Sequence, residues 1–119
     1  MDKIKSPFKK EIGKIEIEGA HGGAGRRQLL LSAADSISEN IEAATKGFLS
    51  PGSVFDWHNH ENIDEFFIVL KGSGIVEFED GNKIEYKEND LVYMPAPAKH
   101  KITNTGSGDN IFFFVRIRN

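Results

Sequence analysis

From Gly52 onward no apolar segment runs far before a turn-forming cluster cuts it: "KGSG" at 71–74, "DGN" at 80–82, "PAPA" at 95–98 and "TGSGDN" at 105–110. A helix needs about ten or more residues at a 3.6-residue period. The apolar runs between these cuts are shorter, rich in β-branched and aromatic residues, and largely alternating. "IDEFFIVL" meets "GIVEFE" across Lys71-Gly72-Ser73-Gly74, and "IVEFE" meets "KIEYK" across Asp80-Gly81-Asn82, both spacings of a β-hairpin. "LVYM", "HKITN" and "IFFFVRI" follow as further strands. Many short strands at this spacing indicate an all-β sandwich or barrel.

The first half is less regular. "MDKIKSPFKKE" at 1–11 is charged and contains Pro7, so it reads as an arm or an edge strand. "IGKIEIEG" alternates through Ile15 and Ile17 as a half-buried strand would, "HGGAG" at 21–25 is a loop, and "RRQLLLS" is another strand. "ADSISENIEAA" carries the one helical signal, a capping box from Ser36 to Glu39, although "IEAATKGFL" reads equally well as a strand.

At 119 residues this is the length of one domain, and we treat 1–119 as such. The net charge of -3, with basic residues spread along the chain, is a poor footprint for nucleic acid. Apolar runs such as "FFIVL" fall far short of the roughly 20 residues that span a bilayer, and the N-terminal residues lack the apolar core of a signal peptide. Without cysteine no disulfide forms, and a cytoplasmic location is the expectation. Phe66, Ile68 and Leu70 share one face of their strand, while Glu65, Phe67 and Val69 share the other. One face fills an interior; the other must be covered by the N-terminal segment or a second subunit, so a homodimer is expected.

Two of the four histidines, His58 and His60, are spaced i, i+2. On a strand such residues point the same way, about 7 Å apart, and can converge on one ion. Glu65 follows a short turn and begins the neighbouring strand, whereas Asp64 faces the opposite side. His100 heads a later strand directly after "PAPAK". Two or three imidazoles with one carboxylate suit a first-row divalent ion. The alternative is that the histidines sit on a surface strand and the acids on a solvated face. Asp56 shares the alternation of His58, where it could fix an imidazole tautomer or simply end a strand.

The stretch Gly52-x5-His58-x-His60-x4-Glu65-x6-Gly72 resembles the first signature of the cupin family. Asn89-x5-Pro95-x-Pro97-x2-His100-x3-Asn104 is similar to the second, with Asn89 and Pro97 standing where the family has glycine. Asn tolerates a positive φ; Pro does not, so the turn before His100 should differ in detail. The resemblance covers 52–104 and implies a double-stranded β-helix, the jelly-roll barrel, often dimeric. It also implies a metal inside the barrel, bound by His58, His60, Glu65 and His100.

Four protein ligands would close a tetrahedral zinc site, whereas a six-coordinate ion keeps two positions for exogenous oxygen ligands. Iron, manganese or nickel is therefore expected ahead of zinc. The family resemblance implies reactions from dioxygenase and oxidase to isomerase, decarboxylase and lyase, and also non-catalytic ligand-binding and storage proteins. We expect a metal-dependent enzyme acting on a small molecule, oxygen chemistry first, with the binding protein as the alternative. Tyr86, Tyr93 and His21 are the candidate proton-transfer residues. Arg26, Arg27 and Lys46 could meet an anionic substrate at the pocket mouth, and Phe67, Val69 and Ile102 should make its wall apolar.

Overall fold

A computed structural model describes residues 6–20, 25–35, 37–59 and 61–119. Ten strands lie along these: β1 Glu18–Ala20, β2 Gly25–Leu31, β3 Ile41–Leu49, β4 Val54–His58, β5 Ile63–Lys71, β6 Gly74–Phe78, β7 Lys83–Tyr86, β8 Leu91–Met94, β9 His100–Asn104 and β10 Asn110–Arg118. They form two antiparallel sheets facing each other as a jelly-roll barrel, one ordered β1-β2-β3-β10-β5-β8 and the other β4-β9-β6-β7. The only described helical turns are two short 3-10 segments, Ile12–Lys14 and Ala33–Asp35. None of the described helices is long and apolar enough to cross a membrane.

Alternation builds the core. Phe67 and Val69 of β5 and Phe112 and Phe114 of β10 point inward and meet Val76 and Ile102 of the opposite sheet. Phe67 stacks edge-on against Phe112 at 5.2 Å between ring centroids and against Tyr86 at 5.6 Å. Each such ring removed from water contributes roughly 1.5–3 kcal/mol, and Phe67→Ala would cost about 3–5 kcal/mol through the cavity it leaves.

Three expectations from the sequence are corrected. The hairpin at "DGN" forms, with β6 and β7 in register from Gly74↔Tyr86 to Glu77↔Lys83. The one at "KGSG" does not: β5 pairs with β10 and β8, so the chain leaves one sheet at Lys71 and enters the other at Gly74. Gly72 makes that crossing with φ +92, and a Cβ there would stand 2.2 Å from Asn110 Nδ2. A turn signal reports that the chain reverses, not which sheet receives it. The helix read from "ADSISENIEAA" is absent, because 41–49 is strand β3, paired on both sides with Ala43, Ala44, Gly47 and Leu49 buried; Ser36 of the capping box lies outside the described residues. The strand read across 12–19 shrinks to Glu18–Ala20. Gln28 Nε2 donates to the carbonyls of Ile12 and Ile15, both at 2.9 Å, and so occupies backbone acceptors that a strand would pair.

Where the family's glycines are replaced, Asn89 has φ +73, as an asparagine can, and the Ala96-Pro97 bond is cis. The turn still delivers His100 onto β9.

Candidate metal centre

The candidate ligands come from both sheets. Glu65 lies at the inward side of β5, opposite Met94 of β8 and Arg116 of β10. His58 and His100 pair with each other on β4 and β9. The two sheets thus place one carboxylate and two imidazoles around a common point, with all three ligand atoms within 4.8 Å of one another. The imidazole rings lie 4.3 Å apart between centroids. His60 lies outside the described residues.

Hydrogen bonds orient both described histidines. His58 Nδ1 lies 2.8 Å from the carbonyl of Asp56, and His100 Nδ1 lies 3.2 Å from that of Ala98. Donation from Nδ1 to a carbonyl puts the ring lone pair on Nε2, the arrangement a metal-binding imidazole needs. His100 Nε2 and Glu65 Oε1 are then 3.6 Å apart, and both are buried without a hydrogen-bond partner. Orphaned buried polar atoms are costly, about 1–3 kcal/mol each and more when charged. At 3.6 Å an imidazolium and a carboxylate leave both atoms beyond hydrogen-bond contact. One cation satisfies both, since ligand atoms about 2.0–2.2 Å from an ion lie roughly 3–4 Å from each other. Electrostatics agree: burial pushes the Glu65 carboxyl up, but His100, His58 and Arg116 outweigh it and hold the group below its ordinary value.

A bulge in β4 explains why Asp56 does not serve as anticipated. Phe55 pairs with Ile102 and His58 with His100, so β4 spends one residue more than β9 between the two pairs. The bulge restores His58 to the interior and turns Asp56 out, where its carboxylate accepts the Trp57 N–H at 2.8 Å. Asp56 holds His58 through its backbone carbonyl instead. Asp64 accepts from Ala96 N–H at 2.8 Å and from Asn119 Nδ2 at 3.1 Å, on the other side of β5 from Glu65.

The cluster opens into a cavity of about 30 Å³. Ala20, Phe55, Ile102 and Phe114 give it an apolar wall, Thr45 and Gly47 contribute from β3, and Arg27 and Arg116 supply positive charge. Ile102 lines it as expected; Phe67 and Val69 lie fully buried in the core. Arg26 and Lys46 sit against the Phe48 ring, 5.9 and 5.6 Å from its centroid, and only Arg27 of the three basic candidates reaches the cavity. Arg116 was not singled out, yet alternation from the buried Phe112 and Phe114 aims it inward.

Neither tyrosine lines this cavity. Tyr86 is buried, donates to Asn110 Oδ1 at 2.6 Å and lies 3.2 Å from the Thr103 carbonyl, and burial pushes its hydroxyl far up. Tyr93 is exposed, and its hydroxyl interacts with Asp64, which raises it. His21 lies outside the described residues.

A family model described as cupin domain matches residues 48–116. A Thermotoga maritima protein named oxalate-binding protein is 28% identical over 108 residues, 90% of this chain and 88% of that one. The crystal structure of a predicted oxalate decarboxylase from Thermotoga maritima superposes with a TM-score of 0.85 at 26% identity, covering 94% of this chain and 100% of the other. A polyketide cyclase from Streptomyces resistomycificus, at 16% identity and a TM-score of 0.78 over 94% of this chain and 80% of its own, shares the fold alone. With more than half of its residues matched by the family model, and with the two-sheet barrel and its histidine and glutamate cluster in place, this chain belongs to the cupin family.

Proposed function

We propose that this protein is a metal-dependent cupin in which His58, Glu65 and His100, completed by His60, hold one divalent transition ion. The observation that carries the reading is the pair of buried, partnerless atoms, Glu65 Oε1 and His100 Nε2, 3.6 Å apart. Iron, manganese or nickel stands ahead of zinc, because a six-coordinate ion keeps positions for an exogenous oxygen ligand. Bound there, such an ion supplies Lewis-acid or one-electron chemistry to that ligand. The chain's own residues bind and orient: Phe55, Ile102 and Phe114 restrict water, and the fixed Nδ1 hydrogen bonds hold the imidazoles in one tautomer.

The substrate is a small oxygen-rich organic molecule, and oxalate is the first to try, given the name of the Thermotoga maritima relative. Oxidase or oxygenase chemistry stands ahead of isomerase or lyase chemistry. Both candidate tyrosines point elsewhere, which supports a reaction at the ion rather than at a proton-transferring phenol. The second reading is binding without turnover, favoured by a relative named for binding. Manganese- or iron-loaded protein incubated with oxalate, with and without dioxygen, separates them: release of formate or carbon dioxide supports the enzyme, and saturable binding with oxalate recovered unchanged supports the binding protein. Neither binding nor turnover would remove oxalate from both.

We also propose that a second copy covers the outer face of β5, β8 and β10. Leu70, Leu91 and Tyr93 are 46%, 59% and 51% exposed there, beside the half-buried Phe66, Ile68 and Phe113. The described N-terminal residues do not serve, since Ile12 and Ile15 are tied to Gln28 of β2, at the other end of the sheet. Light scattering should give the dimer mass, and Ile68→Glu with Leu91→Lys the monomer mass; a monomeric native protein would contradict this.

A further inference from the structure

The cavity has a second chemical element beside the cluster. Arg27 of β2 and Arg116 of β10 flank β3 on the inward side of the larger sheet, and both line the cavity. Across the ladders Arg27 faces Gly47 and Arg116 faces Ala43. Small residues opposite each arginine leave a trough over β3 between the two guanidinium groups. Gly47 cannot be enlarged, because a Cβ there would stand 2.7 Å from the Phe114 ring.

Each arginine is held by one carboxylate and keeps donors in reserve. Arg116 gives Nε and Nη2 to Glu42, the latter at 3.3 Å, and Arg27 gives Nε to Glu18 at 3.0 Å. A guanidinium has five N–H donors, so both Nη1 groups and Nη2 of Arg27 stay uncommitted among the described residues. In each pair the acid is the more exposed partner: 25% for Glu42 against 17% for Arg116, and 51% for Glu18 against 33% for Arg27. The carboxylates therefore brace the guanidinium groups from the solvent side, and both arginines line the cavity. A surface ion pair needs no such placement, and two cations that share a cavity with Phe55 and Phe114 lose hydration that a bound anion would replace.

We infer that Arg27 and Arg116 form an anion clamp, making the ligand of this site a short carboxylate rather than a neutral alcohol, sugar or aromatic. The inference rests on the metal-centred reading for the ligand's other end, whose oxygens would face the ion while a carboxylate meets the arginines. A cavity of about 30 Å³ limits that ligand to a few heavy atoms in its enclosed part. Glu42 and Glu18 are positioning residues that fix the clamp.

The test is calorimetric titration of manganese-loaded protein with oxalate and with oxamide, its neutral isostere. Oxalate should bind at least tenfold more tightly than oxamide. Arg116→Gln combined with Glu42→Gln, which strands no charge, and separately Arg27→Gln, should each weaken oxalate roughly tenfold. Oxamide affinity, manganese content and melting temperature should stay as in the native protein. Equal binding of oxalate and oxamide by fully loaded protein, or arginine variants that bind oxalate as the native protein does, would overturn the clamp and leave the metal centre standing. Failure to load manganese would instead count against the metal centre. The same titration on metal-free protein then decides the clamp alone: weaker oxalate binding that the arginine substitutions abolish supports it, and binding indifferent to them, or none, overturns it.

Discussion

Two polar clusters buried in the barrel are opposites. Around Asn104, Asn110 and Tyr86 the polar atoms have protein partners. Asn104 Nδ2 donates to the Leu49 carbonyl at 2.8 Å and to that of Gly108 at 2.9 Å, and its Oδ1 accepts Gly106 N–H at 2.9 Å. Asn110 Oδ1 accepts the Tyr86 hydroxyl at 2.6 Å while its Nδ2 donates to the Ser73 carbonyl at 3.1 Å. Around Glu65 and His100, comparably buried, the facing atoms have none. A closed network is a structural joint, here tying the β5–β6 crossing and the β9–β10 turn together. On the function proposed above, an open one of imidazole and carboxylate is a receptor, whose polar atoms a bound ion would complete.

The comparison breaks most visibly under metal exchange. Adding manganese at a thousandfold excess over its dissociation constant should stabilise the native protein by about 4 kcal/mol, and a chelator should reverse this, as read by urea unfolding. Glu65→Gln should abolish most of that gain while changing the metal-free protein by less than about 1 kcal/mol, since it also removes a buried charge. At the closed cluster the pattern inverts. Asn110→Ala leaves the Tyr86 hydroxyl only the longer bond to the Thr103 carbonyl, strands the Ser73 carbonyl and should cost about 2 kcal/mol with or without metal. The smallest effect concerns pH. Asp64 is held below the ordinary carboxylate value by the Ala96 N–H and the Asn119 amide. Its contribution to stability is therefore complete above the unfolded value near about 3.9 and is lost as pH falls through the lower folded value. Asp64→Asn should flatten the acid limb of the metal-free protein's melting profile slightly.

The closed cluster was invisible in the sequence beyond Asn104, whereas the open one could be read from spacing. His58, Glu65 and His100 are separated by fixed strand and turn lengths, and those lengths survive folding. Parity counted along one strand fails where a bulge intervenes, which is why Asp56 was placed beside His58 and lies outside. The crossing at Gly72 and the strand at 41–49 depend on which partners lie alongside, information that local propensity does not carry. Arg116 was within reach: two residues beyond Phe114 and four beyond Phe112 on an inward face, it needed only the same alternation that located Glu65.

The most direct test of the account is elemental analysis of native protein purified without a histidine tag, beside His100→Ala prepared in the same way. The account predicts about one iron, manganese, nickel or zinc ion per native chain and only trace metal in the variant, with both proteins folded. Trace metal in both, after anaerobic reconstitution with each ion in turn, would contradict it and make the cluster a bare imidazole and carboxylate pair.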